Sequence, residues 1–221
     1  MKKLQKQLLF LALFILVGFA SLQIPFNKLA GSGVSFTLFD FFGPIAGSFL
    51  GPVFGIASVL IVELVNFFVK QTPITAASAI RLFPILFAVY YFAVLSKKTF
   101  NSWWILLVPA LAIAAFLAHP IGRQVPYYTL FWFIPFIAYR FRRNLFMRSL
   151  GATFTAHAVG GAAWIWALNL PAQVWNGLIP VVIAERLLIA SGIAISFLVT
   201  KKVLSLLASR KILPSLDATA V

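Results

Sequence analysis

The chemistry this chain can offer is concentrated in a few polar side chains set among apolar neighbours. Asp40, Glu63 and Glu185, three of only four acidic residues, stand inside apolar stretches, and Arg81 and Arg186 are embedded in the same way. A guanidinium grips an anionic group through several N–H donors, and a carboxylate accepts hydrogen bonds from an amine or a ring N–H. Glu63 and Asn66 are three residues apart and so share one helix face. His157, Gly161 and Trp164 fall at i, i+4 and i+7, a stripe made of a titratable ring, a gap and an indole. An aromatic wall beside a gap, with a few convergent polar groups, is the usual make-up of a pocket for a small, flat, polar molecule.

The candidate substrate-binding residues are therefore Glu63, Asn66, Arg81, His157, Trp164, Glu185 and Arg186. Arg81 or Arg186 would hold an anionic group, and Glu63 or Glu185 would accept hydrogen bonds. Trp164 would stack and His157 would form the floor. The competing reading is structural: the arginines pair with Glu63, Asp40 or Glu185 as buried struts, His157 is a satisfied packing residue, and Trp164 and Trp175 anchor an aromatic belt.

Catalytic and metal-binding signatures are missing from the sequence. It has no GxSxG, HExxH, HxH or CxxC pattern and no Walker motif, and it contains no Cys. His119, His157, Glu63 and Glu185 are scattered singly, without metal-ligand spacing. The expectation is a non-enzyme without metal or cofactor, and any ATP-driven step would need an ATPase on another chain.

These side chains need elements to carry them, and composition says what kind. Of 221 residues, 62% are hydrophobic and 10% charged, and mean hydropathy is +1.01. A soluble domain is about 25% charged. Apolar segments run approximately over 8–21, 35–50, 51–69, 78–95, 103–118, 125–139, 150–168 and 178–200, separated by Pro, Gly and basic clusters. A crossing helix needs roughly 20 residues, which predicts an all-α polytopic membrane protein with six to eight transmembrane helices. Residues 1–208 form one transmembrane domain and 209–221 a short cytoplasmic tail; the first segment reads as a span in preference to a cleaved signal peptide.

The net charge of +14 would suggest nucleic acid in a soluble protein. In a membrane protein it is a topology signal, so no nucleic-acid partner is expected. Eight crossings from an inside N-terminus put thirteen basic residues on the starting side, including Lys97, Lys98, Arg140, Arg142, Arg143 and Arg148, against Lys28, Lys70 and Arg123 opposite. The expected location is the inner or plasma membrane with both termini cytoplasmic. At 1.5 Å per residue, Asp40, Glu63, Arg81, Trp164, Glu185 and Arg186 then lie roughly 5–12 Å beneath the outer surface, with His157 deeper.

Gly43, Gly47, Gly51 and Gly55 recur every four residues, with Pro44 and Pro52 following two of them. Small residues at that spacing let a neighbouring backbone approach closely. Residues 35–69 are thus either two short spans or a Gly/Pro-rich re-entrant hairpin lining a cavity.

The stretch from Val34 to Gly55, with Asp40, Gly43-Pro44, Gly47 and Gly51-Pro52, followed by Glu63, resembles the early helices of the substrate-binding S components of energy-coupling factor (ECF) transporters. The late stretch from Trp175 through Pro180 to Glu185-Arg186 is similar in character. The resemblance implies capture of a vitamin or related micronutrient in an outward-open pocket, then docking on a membrane coupling protein driven by two cytoplasmic ATPases. Members commonly carry an Ala-x-x-x-Ala docking face on the first helix, where this chain has Ala12 and Ala20 with Leu16 between them. Two other classes stay open. One is an intramembrane enzyme acting on a lipid or prenyl substrate, with His157 and Glu185 as acid and base; the other is a scaffold or assembly protein.

Overall fold

The computed structural model describes residues 3–28, 35–96 and 103–214. Lys97, Lys98 and most of the expected C-terminal tail, including Asp217, lie outside these residues. Helix α1 (Lys3–Leu22) leads into a two-stranded antiparallel ribbon, β1 (Pro25–Lys28) and β2 (Ser35–Thr37). Then come α2 (Leu38–Phe42), a 3-10 turn at Gly43–Ile45, α3 (Ala46–Leu50), α4 (Pro52–Val69), α5 (Ala76–Arg81) and α6 (Pro84–Ser96). A second 3-10 turn at Trp103–Leu106 precedes α7 (Leu107–Ala118) and α8 (Pro120–Gln124). A longer 3-10 stretch at Pro126–Phe133 is followed by α9 (Ile134–Arg140), α10 (Leu145–Leu168) and α11 (Ala172–Ser209).

The described chain is predominantly helical, with helices long and apolar enough to cross a membrane at Leu4–Leu22, Pro52–Val69, Ala76–Ser96 and Ala172–Ser209. Sequence explains their boundaries. Pro52, Pro84 and Pro120 each open a helix, where a missing N–H costs nothing and the fixed φ is already helical. Asn144 caps α10 by accepting from the Met147 amide at 3.0 Å. Asn169 ends α10 in the left-handed conformation, at φ +48°.

Residues 35–69 form a helical hairpin with legs of unequal length. The helical stretch Leu38–Leu50 is 13 residues, about 20 Å, and α4 is 18 residues, about 27 Å. Gly51 makes the reversal at φ +85°, where a side chain would be strained. A Cβ on Gly55 would lie 2.4 Å from the Gly47 Cα, so the two legs touch backbone to backbone. The four-residue glycine spacing serves this contact.

Two expected segments differ from their sequence reading. Residues 125–139 are a 3-10 stretch joined to the seven-residue α9, with Pro126 and Pro135 each withdrawing a backbone donor. The segment expected at 178–200 is part of α11, which runs unbroken through Gly177 and Pro180 for 38 residues, about 57 Å.

Helix α10 is central, packing on α6, α7, α9 and α11. Its buried face is made of small residues, among them Gly151, Ala152, Ala158 and Ala162. Gly151 faces Tyr91 of α6, whose hydroxyl donates to the Pro135 carbonyl at 2.6 Å. One apolar core gathers Phe10, Phe14, Phe39, Ile45, Phe92 and Ile193. A second gathers Phe116, Tyr128, Trp132, Ile165, Trp175 and Val182.

Candidate ligand-binding site

A cavity of about 1010 Å³ is lined by the end of α1, the ribbon, and residues of α2, α4, α5, α6, α10 and α11. Gln23, Lys70, Thr72, Leu168 and Leu170 line its upper part. These residues sit where α1, α4 and α10 end and where α5 and α11 begin, which places the mouth at that end of the bundle. Glu63, Asn66, Arg81, His157, Trp164, Glu185 and Arg186 all line the same cavity.

The polar groups occupy more than one level. Trp164 is four residues from the end of α10, about 6 Å along the helix, whereas Thr153 is fifteen residues from it, about 22 Å. Arg186 reaches that lower level, where Nη1 donates to the Thr153 Oγ1 at 3.2 Å. The single shallow layer expected from the sequence is thus replaced by a taller arrangement. The reason is that α11 begins at Ala172 and continues through Pro180, so Glu185 and Arg186 sit about 20 Å along it.

Arg186 is 8% exposed, and β2 dips far enough to set the Phe36 ring 5.0 Å from its guanidinium carbon. Its Nη2 lies 3.8 Å from the Glu185 Oε2, while its buried Nε has no hydrogen-bond partner. Among the described residues this is the one ion pair within 4 Å. Arg81 is exposed on the cavity wall. Glu63 makes no hydrogen bond or ion pair with another described residue, and its neighbour one turn on, Asn66, accepts from the Gln23 side-chain amide at 3.1 Å.

Asp40 has a local task. Its Oδ2 accepts from the Thr37 amide at 2.8 Å while the Thr37 hydroxyl accepts from Phe39, a capping box at the start of α2. The Thr37-x-x-Asp40 pattern before an apolar run is a legible signal for this.

His157 is held from two sides. The Trp132 indole N–H donates to Nδ1 at 3.0 Å, and the Tyr128 hydroxyl lies 3.2 Å from Nε2. Both ring nitrogens are thereby engaged within the protein, and Tyr128 lines the cavity beside His157. Gly161 makes room for the arrangement, because a Cβ there would lie 2.6 Å from the Trp132 ring. Sequence reasoning missed Tyr128, Trp132 and Thr153. Tyr and Trp carry polar tips that seek a partner when buried, and His157 is one of only two histidines, so an apolar Tyr-x-x-x-Trp segment was the available signal.

His119 and Arg123 serve the backbone. The His119 Nδ1 accepts from the Ile121 amide at 3.3 Å to cap α8, and Arg123 donates to the Ala118 carbonyl at 3.1 Å. Trp175 lines the cavity, with its indole N–H donating to the Leu170 carbonyl at 3.2 Å. Trp166 instead faces away from it and donates to the Ala115 carbonyl at 2.9 Å.

No family model matches the chain, and no solved structure matches it. It is similar to a Methanocaldococcus jannaschii protein named as uncharacterized, with 27% identity over 202 residues that cover 83% of this chain and 67% of that protein.

Proposed function

We propose that this is an integral membrane substrate-binding protein that captures a small polar nutrient from outside the cell, in the manner of the ECF S components it resembles. The observation that carries this reading is the convergence of Glu63, Arg81, Glu185 and Arg186, from α4, α5 and α11, on one cavity of about 1010 Å³. Charges that served only as struts would close on one another. Here Arg186 spends a donor on Thr153 and keeps Glu185 at 3.8 Å.

Orientation supports the same reading. Arg140, Arg142, Arg143 and Arg148 sit where α9 passes into α10, and Lys201, Lys202, Arg210 and Lys211 lie at the far end of α11. Both groups are at the opposite end of the bundle from the cavity mouth. By the positive-inside rule they face the cytoplasm and the mouth faces out. Transport would then require a membrane coupling protein and two ATPases. Ala12, Leu16 and Ala20 are exposed along α1, where Leu16 interrupts the Ala-x-x-x-Ala pattern that the docking face of those proteins carries.

Native mass spectrometry of gently purified protein tests the reading. A small molecule should leave the wild-type protein on activation and be missing from Glu185→Ala and Trp164→Ala. Equal retention by both variants would refute the site.

A further inference from the structure

The inner end of the cavity presents hydrogen-bond donors in a fixed pattern, and three side chains set it. An indole N–H can only donate. The Trp132 Nε1, 3.0 Å from the His157 Nδ1, therefore makes that nitrogen an acceptor, which in the neutral ring puts the proton on Nε2. Nε2 then donates to the Tyr128 Oη, 3.2 Å away, and the tyrosine's own proton is turned away from the histidine. Tyr128 lines the cavity, and among the described residues its hydroxyl has no hydrogen-bond partner besides His157, which leaves that proton for a ligand.

Two further donors line the same cavity. The Thr153 Oγ1 accepts from Arg186 at 3.2 Å, which leaves its hydroxyl proton uncommitted to the arginine. The Arg186 Nε–H is buried without a partner. Of the neighbouring carboxylates, the Glu185 Oε2 lies toward Nη2 at 3.8 Å, and the Asp40 Oδ2 accepts from the Thr37 amide at 2.8 Å.

We propose that this inner end is an oxyanion subsite, in which Arg186, Tyr128 and Thr153 bind the carboxylate-type end of the captured molecule. The Trp132–His157 pair acts as a positioning relay that fixes the direction of the Tyr128 proton. The proposal rests on the reading of the cavity as a small-molecule site and adds the chemical class and the orientation of the ligand: acceptor-rich end inward, ring toward Trp164 nearer the mouth. A buried donor left unpaired is costly, so the subsite favours a carboxylate over its neutral amide, whose NH2 would face Tyr128 or Arg186 donor to donor.

The test uses benzoate and benzamide as matched probes on the full-length protein, read by tryptophan fluorescence and by thermal shift. Benzoate should bind at least tenfold more tightly than benzamide. Tyr128→Phe should weaken benzoate at least fivefold and leave benzamide unchanged. Trp132→Phe frees the histidine to accept from Tyr128, so it should lower the benzoate-to-benzamide ratio; a packing defect would weaken both probes together. Arg186→Lys, which removes the Nε donor and keeps the charge, should retain part of the benzoate affinity, and Trp166→Phe should leave the ratio untouched.

Equal binding of the two probes, or benzoate binding undiminished by Tyr128→Phe, would overturn the assignment. A co-purifying molecule lost from Trp164→Ala but kept by Tyr128→Phe would overturn the oxyanion subsite and leave the capture reading standing. The absence of any bound molecule together with no response to benzoate would remove both.

Discussion

Arg186 reaches from α11 to the Thr153 hydroxyl on α10, 3.2 Å away, although the carboxylate of its own neighbour Glu185 stands at 3.8 Å. A guanidinium whose only task was to neutralise Glu185 would make the short, bidentate contact that arginine and carboxylate favour. This one gives Nη1 to a second helix, keeps Nη2 at a long distance from Glu185 and leaves Nε without a partner. Buried ion pairs replaced by apolar residues are often neutral or stabilising by about 1–4 kcal/mol. The double variant Glu185→Leu/Arg186→Met should therefore keep its helical circular dichroism and its thermal transition while losing the co-purified molecule in native mass spectrometry. Retention of that molecule would return the pair to a purely structural role.

The hairpin at 38–69 depends on glycine in two different ways. Gly55→Ala drives a methyl group to within 2.4 Å of the Gly47 Cα, with backbone that cannot yield. Overpacking of this kind costs typically 1–3 kcal/mol, so a drop of several degrees in the thermal transition is expected. Gly51 has nothing within 4 Å of a Cβ but sits at φ +85°, so Gly51→Ala should cost about 1 kcal/mol through the backbone alone. Gly177, also in open space but at helical φ, is the control, and Gly177→Ala should be neutral or slightly stabilising.

Asp40 lines the cavity yet is spoken for by α2. Asp40→Asn keeps an acceptor oxygen for the Thr37 amide, whereas Asp40→Ala removes it. Loss of a cap costs about 0.5–2 kcal/mol. Thermal denaturation should show the alanine variant clearly less stable than the asparagine variant, with both still holding the ligand. Loss of ligand from Asp40→Asn would show that the carboxylate has a second task.

Gly161→Ala tests the relay from its back. The added methyl would meet the Trp132 ring at 2.6 Å and displace the indole from the His157 Nδ1. The variant should lose affinity for benzoate more than for benzamide, as Trp132→Phe does. An unchanged ratio with a lowered thermal transition would mean that Gly161 serves packing alone.

Much of this arrangement was legible in the residues. Scarcity made Glu63, Arg81, Glu185 and Arg186 conspicuous in an apolar chain, and all four line one cavity. Helical spacing placed His157, Gly161 and Trp164 on one stripe, and all three reach that cavity too. Depth was less legible, because the last apolar segment read as starting only after Gly177, while α11 begins at Ala172 and runs on through Gly177 and Pro180, the proline withdrawing one hydrogen bond without ending the helix. The relay was hidden for another reason. Trp132 and His157 are 25 residues apart, and only the packing of the 126–133 segment against α10 joins an indole that must donate to a ring that can accept. The cap at Asp40 was readable from Thr37-x-x-Asp40, but an acid in an apolar run draws attention to charge before geometry.

The outward-facing mouth is the claim on which capture depends, and the absence of native cysteine makes it directly measurable. Asn66, on the cavity wall near the mouth, and Asn144, at the start of α10 among the arginines, stand at opposite ends of the bundle. In intact cells a membrane-impermeant maleimide should label Asn66→Cys and should reach Asn144→Cys only after permeabilisation. The reverse pattern, with Asn144→Cys labelled from outside and Asn66→Cys protected until the membrane is opened, would contradict the account.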